Sequence, residues 1–172
     1  DEQFTSRTRA FVKRMQDRFS IYERLVTTNI IFLKRTKDIG IISADMARGY
    51  GATGPVLRGS GIAYDIRRHE PYSVYNEFDF DIPVGGQGDC FDRYMVRIEE
   101  MRQSLRIIEQ ALDRLPAGDI RTPVPRKLVL PTGDSSFSVE GARGDVTYYL
   151  VGDGSETPYR LKVRSPCFSN LS

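Results

Sequence analysis

Residues 89–115, DCFDRYMVRIEEMRQSLRIIEQALDRL, decide the fold. Phe91, Tyr94, Ile98, Met101, Leu105, Ile108, Leu112 and Leu115 recur at alternating steps of three and four, an unbroken apolar seam along one helix face. Asp89 can accept the orphan amides of the first turn, and Pro116 and Gly118 stop the element. At 1.5 Å per residue such a helix runs about 40 Å, the spine of a bundle. Arg97, Glu100, Gln103 and Arg106 fall on the opposite face, read as a solvated or docking surface. A seam of this length suits either a dimeric coiled coil or an internal partner, and the sequence supplies the partner. Phe4, Phe11, Met15, Phe19, Tyr22 and Val26 also recur at helical spacing, predicting an amphipathic helix over 3–27 that packs on the seam.

Between the two lie shorter pieces. Thr28-Asn29 breaks the first helix, Ile30–Lys37 reads as a second, and Ser43 can cap a third over Ala44–Tyr50, which Gly51 stops. Residues 51–61 hold four glycines and Pro55, so an ordered loop is expected, with Val56 and Leu57 packed on the helices and Arg58 reaching a carboxylate. A helix-turn-helix reading of Ala47, Gly51, Val56 and Arg58 would put Gly54, Pro55, Gly59 and Gly61 in a recognition helix. Proline costs about 3 kcal/mol and each glycine about 1 kcal/mol in a helix interior, and that sum rejects it. Phe78, Phe80, Ile82 and Val84 alternate with Glu77, Asp79 and Asp81, predicting a half-buried strand over 77–84.

Beyond the long helix, four prolines from Pro116 to Pro131 mark a linker. Strands are then expected at Ser136–Glu140, Asp145–Val151 and Tyr159–Arg164, the last two joined through Gly152-Asp153-Gly154. In the third, Tyr159, Leu161 and Val163 should point inward and Arg160, Lys162 and Arg164 outward. The expected fold is α+β: a helical bundle with one long central helix, plus a small antiparallel β-sheet at the C-terminal end. Its parts are residues 1–118, mainly helical; 119–135, a proline-rich linker; and 136–172, antiparallel β.

Composition narrows the function classes. The 172 residues carry 25 Lys and Arg against 23 Asp and Glu, a net charge of +2, and 40% are hydrophobic. Such a chain builds one core, and no apolar run nears the length of a membrane span. Residues 1–40 hold nine basic and five acidic residues, 67–92 carry a net −4, and 155–172 a net +2. Opposed patches of this size read as docking or solvated faces, not as a nucleic-acid stripe. Two cysteines outside any CxxC point to free thiols in a reducing, cytosolic setting, and a chain that opens on Asp1 reads as a piece of something longer. The only histidine, His69, lies in the polar run Arg67-Arg68-His69-Glu70-Pro71 and reads as a surface residue. One histidine and two isolated cysteines fill no metal shell, and no phosphate-binding or dinucleotide fingerprint occurs. The acidic pairs Asp79/Asp81 and Glu99/Glu100 lack an obvious apolar pocket and read as strand and helix surface.

A resemblance becomes visible at Gly54-Pro55-Val56-Leu57-Arg58-Gly59-Ser60-Gly61-Ile62, with Asp65-Ile66-Arg67 and Pro71-Tyr72-Ser73-Val74-Tyr75 after it. It continues through Gly88-Asp89-Cys90-Phe91-Asp92-Arg93-Tyr94, Glu99-Glu100-Met101-Arg102-Gln103-Ser104-Leu105-Arg106, Glu140-Gly141-Ala142-Arg143-Gly144-Asp145 and Pro158-Tyr159-Arg160-Leu161-Lys162-Val163-Arg164. In these runs, spread from about Asn29 to Leu171, the chain resembles the D-type subunit of NADH:quinone oxidoreductase (complex I), a hydrogenase-derived protein that builds much of the quinone chamber. The match is to a central fragment. The family's amino-terminal quinone-headgroup residues and its carboxy-terminal tail have no counterpart here, and a helical stretch that many members insert is missing between Arg126 and Ser136.

The resemblance implies a scaffold role in an enzyme that passes electrons from NADH through iron–sulfur clusters to quinone and translocates protons. This chain is expected to bind none of those cofactors and to be inactive alone. Implied partners are the small iron–sulfur subunit and other peripheral-arm subunits, with quinone reached through the full-length subunit, no nucleic acid, and a peripheral place on the cytoplasmic side of the membrane. Candidate interface residues are Arg58, Gly59, Gly61, Arg67, Asp89, Asp92, Arg93 and Arg97, with internal pairing of Arg58 or Arg93 as the competing reading. Other readings are the large subunit of a membrane-bound nickel–iron hydrogenase, whose CxxC pairs lie near its two ends, and a stand-alone protein-interaction domain.

Overall fold

The computed structural model describes residues 2–171. Helix α1, Glu2–Tyr22, runs on through a π-helical turn over Glu23–Thr27. Asn29 then caps α2, Ile30–Thr36, its Oδ1 accepting from the amides of Ile31 and Phe32. Ser43 caps α3, Ala44–Gly49, as its position before the apolar residues requires.

The next element corrects the sequence reading, for the glycine-rich stretch contains a helix, α4, over Gly54–Gly59. The propensity argument misjudged it because α4 has scarcely an interior. Pro55 lies in the first turn, where its missing N–H costs nothing, and Gly59 is the last residue. Val56 and Leu57 pack with Ala47 and Ala52 in a small core, and all six residues are buried, which no groove-binding helix could be. Helix α5, Ile66–His69, is capped by Asp65.

No strand forms over 77–84. A 3-10 turn at Tyr75–Glu77 leads into extended chain that lies along the long helix α6, Cys90–Asp113. The alternation holds over its first part, since Phe78 and Phe80 are buried while Asp79 and Asp81 are exposed, but Val84 at its end is 49% exposed. The partner, however, is a helix. Gln110 accepts from the Asp79 amide (2.8 Å) and donates to its carbonyl (2.7 Å), and Gln103 accepts from the Asp81 amide (3.0 Å). Glutamines of α6 thus satisfy backbone groups that a neighbouring strand would otherwise take.

Asp89 caps α6 through the Asp92 amide at 2.7 Å. Its seam meets α1, but through Val12 and Phe19, which bury against Ile98 and Leu105 with Met15, Tyr22, Tyr94, Met101 and Ile108 around them. Phe4 and Phe11 of the expected stripe are 55% and 50% exposed. Ion pairs Arg9–Asp113 and Arg102–Glu23 border this contact. A second apolar cluster joins Ile107 to Phe78 and Phe80 on another face of the same helix. The face read as a solvated or docking surface is therefore covered in part: Glu100 is largely enclosed, while Arg97 stays exposed and Arg106 half-exposed. No described helix is long and apolar enough to cross a membrane.

After the proline-rich connection come β1 (Gly133–Gly141), β2 (Gly144–Gly152) and β3 (Arg160–Arg164), antiparallel in that order, then α7, Pro166–Asn170. The first hairpin turns through Ala142-Arg143, and Gly144-Asp145 opens β2 directly after that turn. The second connection, residues 153–159, is a longer loop than Gly152-Asp153-Gly154 alone, because Gly152 ends β2 and Tyr159 falls outside β3. The inward row of β3 is also corrected: Leu161 is 55% exposed and Val163 49%. The helical layer reaches only the end of the sheet formed by the first hairpin, so among the described residues nothing covers the apolar side of β3.

Candidate functional site

That docked end is built around Arg58. Gly54, in the left-handed region at φ +65°, abuts the backbone of Gly144 so closely that a Cβ would collide with it. Thr53 Oγ1 accepts from the Asp145 amide (3.0 Å), Arg164 donates to the Gly51 carbonyl (2.6 Å), and the Glu140 amide donates to the Tyr72 hydroxyl (3.0 Å). These contacts hold the hairpin against α4 and leave Arg58 between three elements, 1% exposed.

The guanidinium spends its donors on separate groups. Nε donates to Glu100 of α6 at 2.5 Å, Nη2 to Glu140 of β1 at 2.7 Å, and Nη1 to the Tyr64 carbonyl at 2.9 Å, with Asp65 Oδ2 3.6 Å away. Arg67 grips Asp65 with both arms, Nε to Oδ1 at 2.9 Å and Nη2 to Oδ2 at 2.6 Å, and lies over the Phe80 ring. Burial works against the Arg58 charge, but Glu100, Glu140 and Asp65 overcome it and raise its pKa. Burial also opposes ionisation of Asp65, yet the Arg67 contacts hold that carboxyl below its usual range. Burial dominates at the other acids: it raises Glu100 despite Arg58, lifts Glu140 to about 7, and raises Asp145.

The arrangement corrects the reading of Glu100 as helix surface, because its side chain is closed off by Arg58 and the sheet. Asp65, Glu140 and Asp145 were not singled out from sequence either. One signal was available: with strands ending at Glu140 and starting at Asp145, the two acids flank a tight turn and face each other, an arrangement that costs stability unless something compensates.

The remaining candidates hold the loops around the start of α6. Asp89 is buried and accepts from the Asp38 amide (2.8 Å), and Asp92 Oδ2 accepts from the amides of Gly86, Gln87 and Gly88. Desolvation opposes the Asp89 charge, but the amides it accepts from stabilise it and lower its pKa. Arg93 donates to the carbonyls of Gly88 (2.6 Å) and Gly40 (2.8 Å) and pairs with no carboxylate among the described residues. Gly59 lies against Arg93, whose Cγ would be 2.7 Å from an added Cβ, and Gly61, at φ +85°, is exposed. Arg97 is exposed and donates to the Arg93 carbonyl (2.6 Å). Desolvation, and then the nearby charges of Arg93 and Arg143, lower its pKa against the pull of Glu100. Three arginines thus gather where α6 meets the first hairpin. His69 is exposed and stacks on Tyr64. No group of three His, Cys, Asp or Glu suited to a metal exists among the described residues, and Cys90 and Cys167 are free, so these side chains do not fit an iron–sulfur cluster.

The geometry has a helical spine, a docked sheet and a buried ionic knot, and sequence comparison shows the family it belongs to. The family model described as respiratory-chain NADH dehydrogenase, 49 Kd subunit, matches residues 1–132 and 122–172, two stretches that meet in the proline-rich connection. The chain belongs to that family. It is 55% identical over 172 residues to the D-type subunit of NADH-quinone oxidoreductase from Syntrophobacter fumaroxidans, covering 99% of this chain and 46% of the relative. The protein of the same name from Desulfotalea psychrophila is 58% identical with the same coverage, and that from Clostridium beijerinckii 45% identical over 170 residues. The chain spans about half the length of these curated relatives.

Proposed function

We propose that this chain is the central piece of the quinone-site scaffold subunit of a respiratory NADH:quinone oxidoreductase. In that enzyme, electrons from NADH pass through iron–sulfur clusters to quinone and drive proton translocation. The observation that carries the reading is identity of 55 and 58% across 99% of the chain to proteins named as that subunit. The chain's own contribution is mechanical. It contributes no redox centre, and by itself it turns over no NADH.

The partners proposed are the small iron–sulfur subunit and other peripheral-arm subunits, with the assembly seated peripherally on the cytoplasmic side of the membrane. Of the eight interface candidates, Arg58, Arg67, Asp89 and Asp92 are engaged within the chain. The contact is therefore proposed on the arginine edge, with Arg97 at its centre and the partly buried Arg93 beside it; Gly61 is exposed, whereas Gly59 is buried against Arg93 and cannot reach a partner. An exposed cation crowded by like charges gains most from an anionic or main-chain oxygen surface on a partner. Full-length subunit carrying Arg97→Glu should co-purify poorly with the small iron–sulfur subunit, and membranes containing it should lose NADH:quinone reductase activity. Wild-type yield together with wild-type activity would remove this edge from the interface.

A further inference from the structure

Two buried side-chain oxygens have no hydrogen-bond partner among the described residues: Glu140 Oε2 and Asp145 Oδ1. Their residues stand directly opposite each other on β1 and β2, on one face of the sheet, which brings the two Cβ atoms within about 5 Å. The Glu140 side chain is 6% exposed and Asp145 8%. An unsatisfied buried oxygen is costly, and two facing each other ask for one shared donor.

The surrounding charges do not supply it. From α5, Arg67 is committed to Asp65. From α4, Arg58 is divided between Glu100 of α6 and the other oxygen of Glu140. From β3, Arg164 donates to the main-chain oxygens of Asp145 and Gly51 and to Ser169. The Tyr72 hydroxyl is taken as acceptor by the Glu140 amide, and Tyr64 offers its carbonyl to Arg58. Four acids thus meet two arginines that pair with their carboxylates, and the shortfall falls on Glu140 and Asp145.

We propose that Glu140 and Asp145 bind a single proton between Oε2 and Oδ1, and that this shared proton relieves the repulsion of two buried anions at the end of the sheet that docks on the helical layer. With the proton in place the pair carries one negative charge, which Arg58 meets, and both empty oxygens are filled by one hydrogen bond. Without it, two anions face each other out of water at the point where the hairpin presses on Gly54. Burial raises both carboxyls, in agreement with this geometry, and the proton belongs to the pair and not to either residue. In the unfolded chain both acids ionise near pH 4. The folded chain therefore holds an extra proton between about pH 4 and pH 7, and its stability falls as pH rises through that window.

The test is infrared spectroscopy of the folded full chain, combined with denaturant titrations across the same pH range. Wild type should show a protonated-carboxyl carbonyl band at about pH 6 that shifts on carbon-13 labelling of glutamate and aspartate and fades by about pH 9. Asp145→Asn, whose amide can donate to Glu140 Oε2, should lose the band and flatten the decline in stability while keeping the wild-type circular dichroism. Should that variant fail to fold, Glu140→Gln is read in the same way. Absence of the band in folded wild type at about pH 6, or an unchanged decline in a folded variant, overturns the proposal.

Discussion

Two faces of α6 differ in how they are buried. Toward α1 the helix offers Tyr94, Ile98, Met101, Leu105 and Ile108, apolar side chains that meet others of their kind. Toward the sheet and the 78–84 segment it offers Glu100, Gln103, Arg106 and Gln110, polar side chains covered to different degrees, each of which finds a partner elsewhere in the chain. The first face is held by the removal of apolar area from water, which accepts any neighbour of suitable shape. The second depends on particular atoms, and loss of one partner strands the other. A polar helix face is therefore no sign of solvent when the chain carries complementary charges at long range.

The comparison breaks most sharply at Arg58. Arg58→Leu should leave Glu100 and Glu140 buried without their counter-charge and cost about 3–5 kcal/mol of stability, read as a lowered denaturant midpoint. Arg58→Lys keeps the charge but loses the fork that reaches α6, β1 and Tyr64 at once, so it should fall between wild type and Arg58→Leu and weaken assembly of the full-length subunit. Equal stability of Arg58→Lys and wild type would show that charge alone holds this face.

On the apolar face, Leu105→Ala should cost about 2–5 kcal/mol as a core truncation. The unfolding midpoint should not depend on protein concentration, because the seam is filled by α1 of the same chain. A concentration-dependent midpoint would make the seam a dimer contact and remove the first face from the comparison.

The contrast also explains what the sequence made legible. The seam of α6, the capping residues Ser43 and Asp89 and the three C-terminal strands follow from spacing and local chemistry, and the structure has all of them, with shifted ends. Arg58 stood out because so many glycines surround it, and its carboxylates turned out to be internal. Glu100 did not stand out, since its partner lies 42 residues away in the chain and no periodicity encodes that pairing. The 77–84 segment alternates as a strand does, but its backbone is satisfied by two glutamines that a strand reading never consults. In β3 the alternation of Leu161 and Val163 is equally real, yet alternation marks two faces without saying which one a second layer will cover.

The polar face is itself graded, and its outer end gives the smallest effect. Arg106 pairs with Asp79 and Asp81, but its side chain is 41% exposed and theirs are 74% and 78% exposed. Pairs of that kind exchange water for each other at little gain, are screened by salt and contribute about 0–1 kcal/mol. Arg106→Ala should therefore lower stability by less than about 1 kcal/mol at low ionic strength, and the difference should shrink in about 0.5 M salt. Gln110→Ala, a neutral change four residues on, removes both hydrogen bonds to the Asp79 backbone and should cost about 1 kcal/mol irrespective of salt. A loss of several kcal/mol from Arg106→Ala would mean that the outer pairs share the character of the Arg58 knot, and that the whole polar face of α6, not its Glu100 end alone, is held by specific charges.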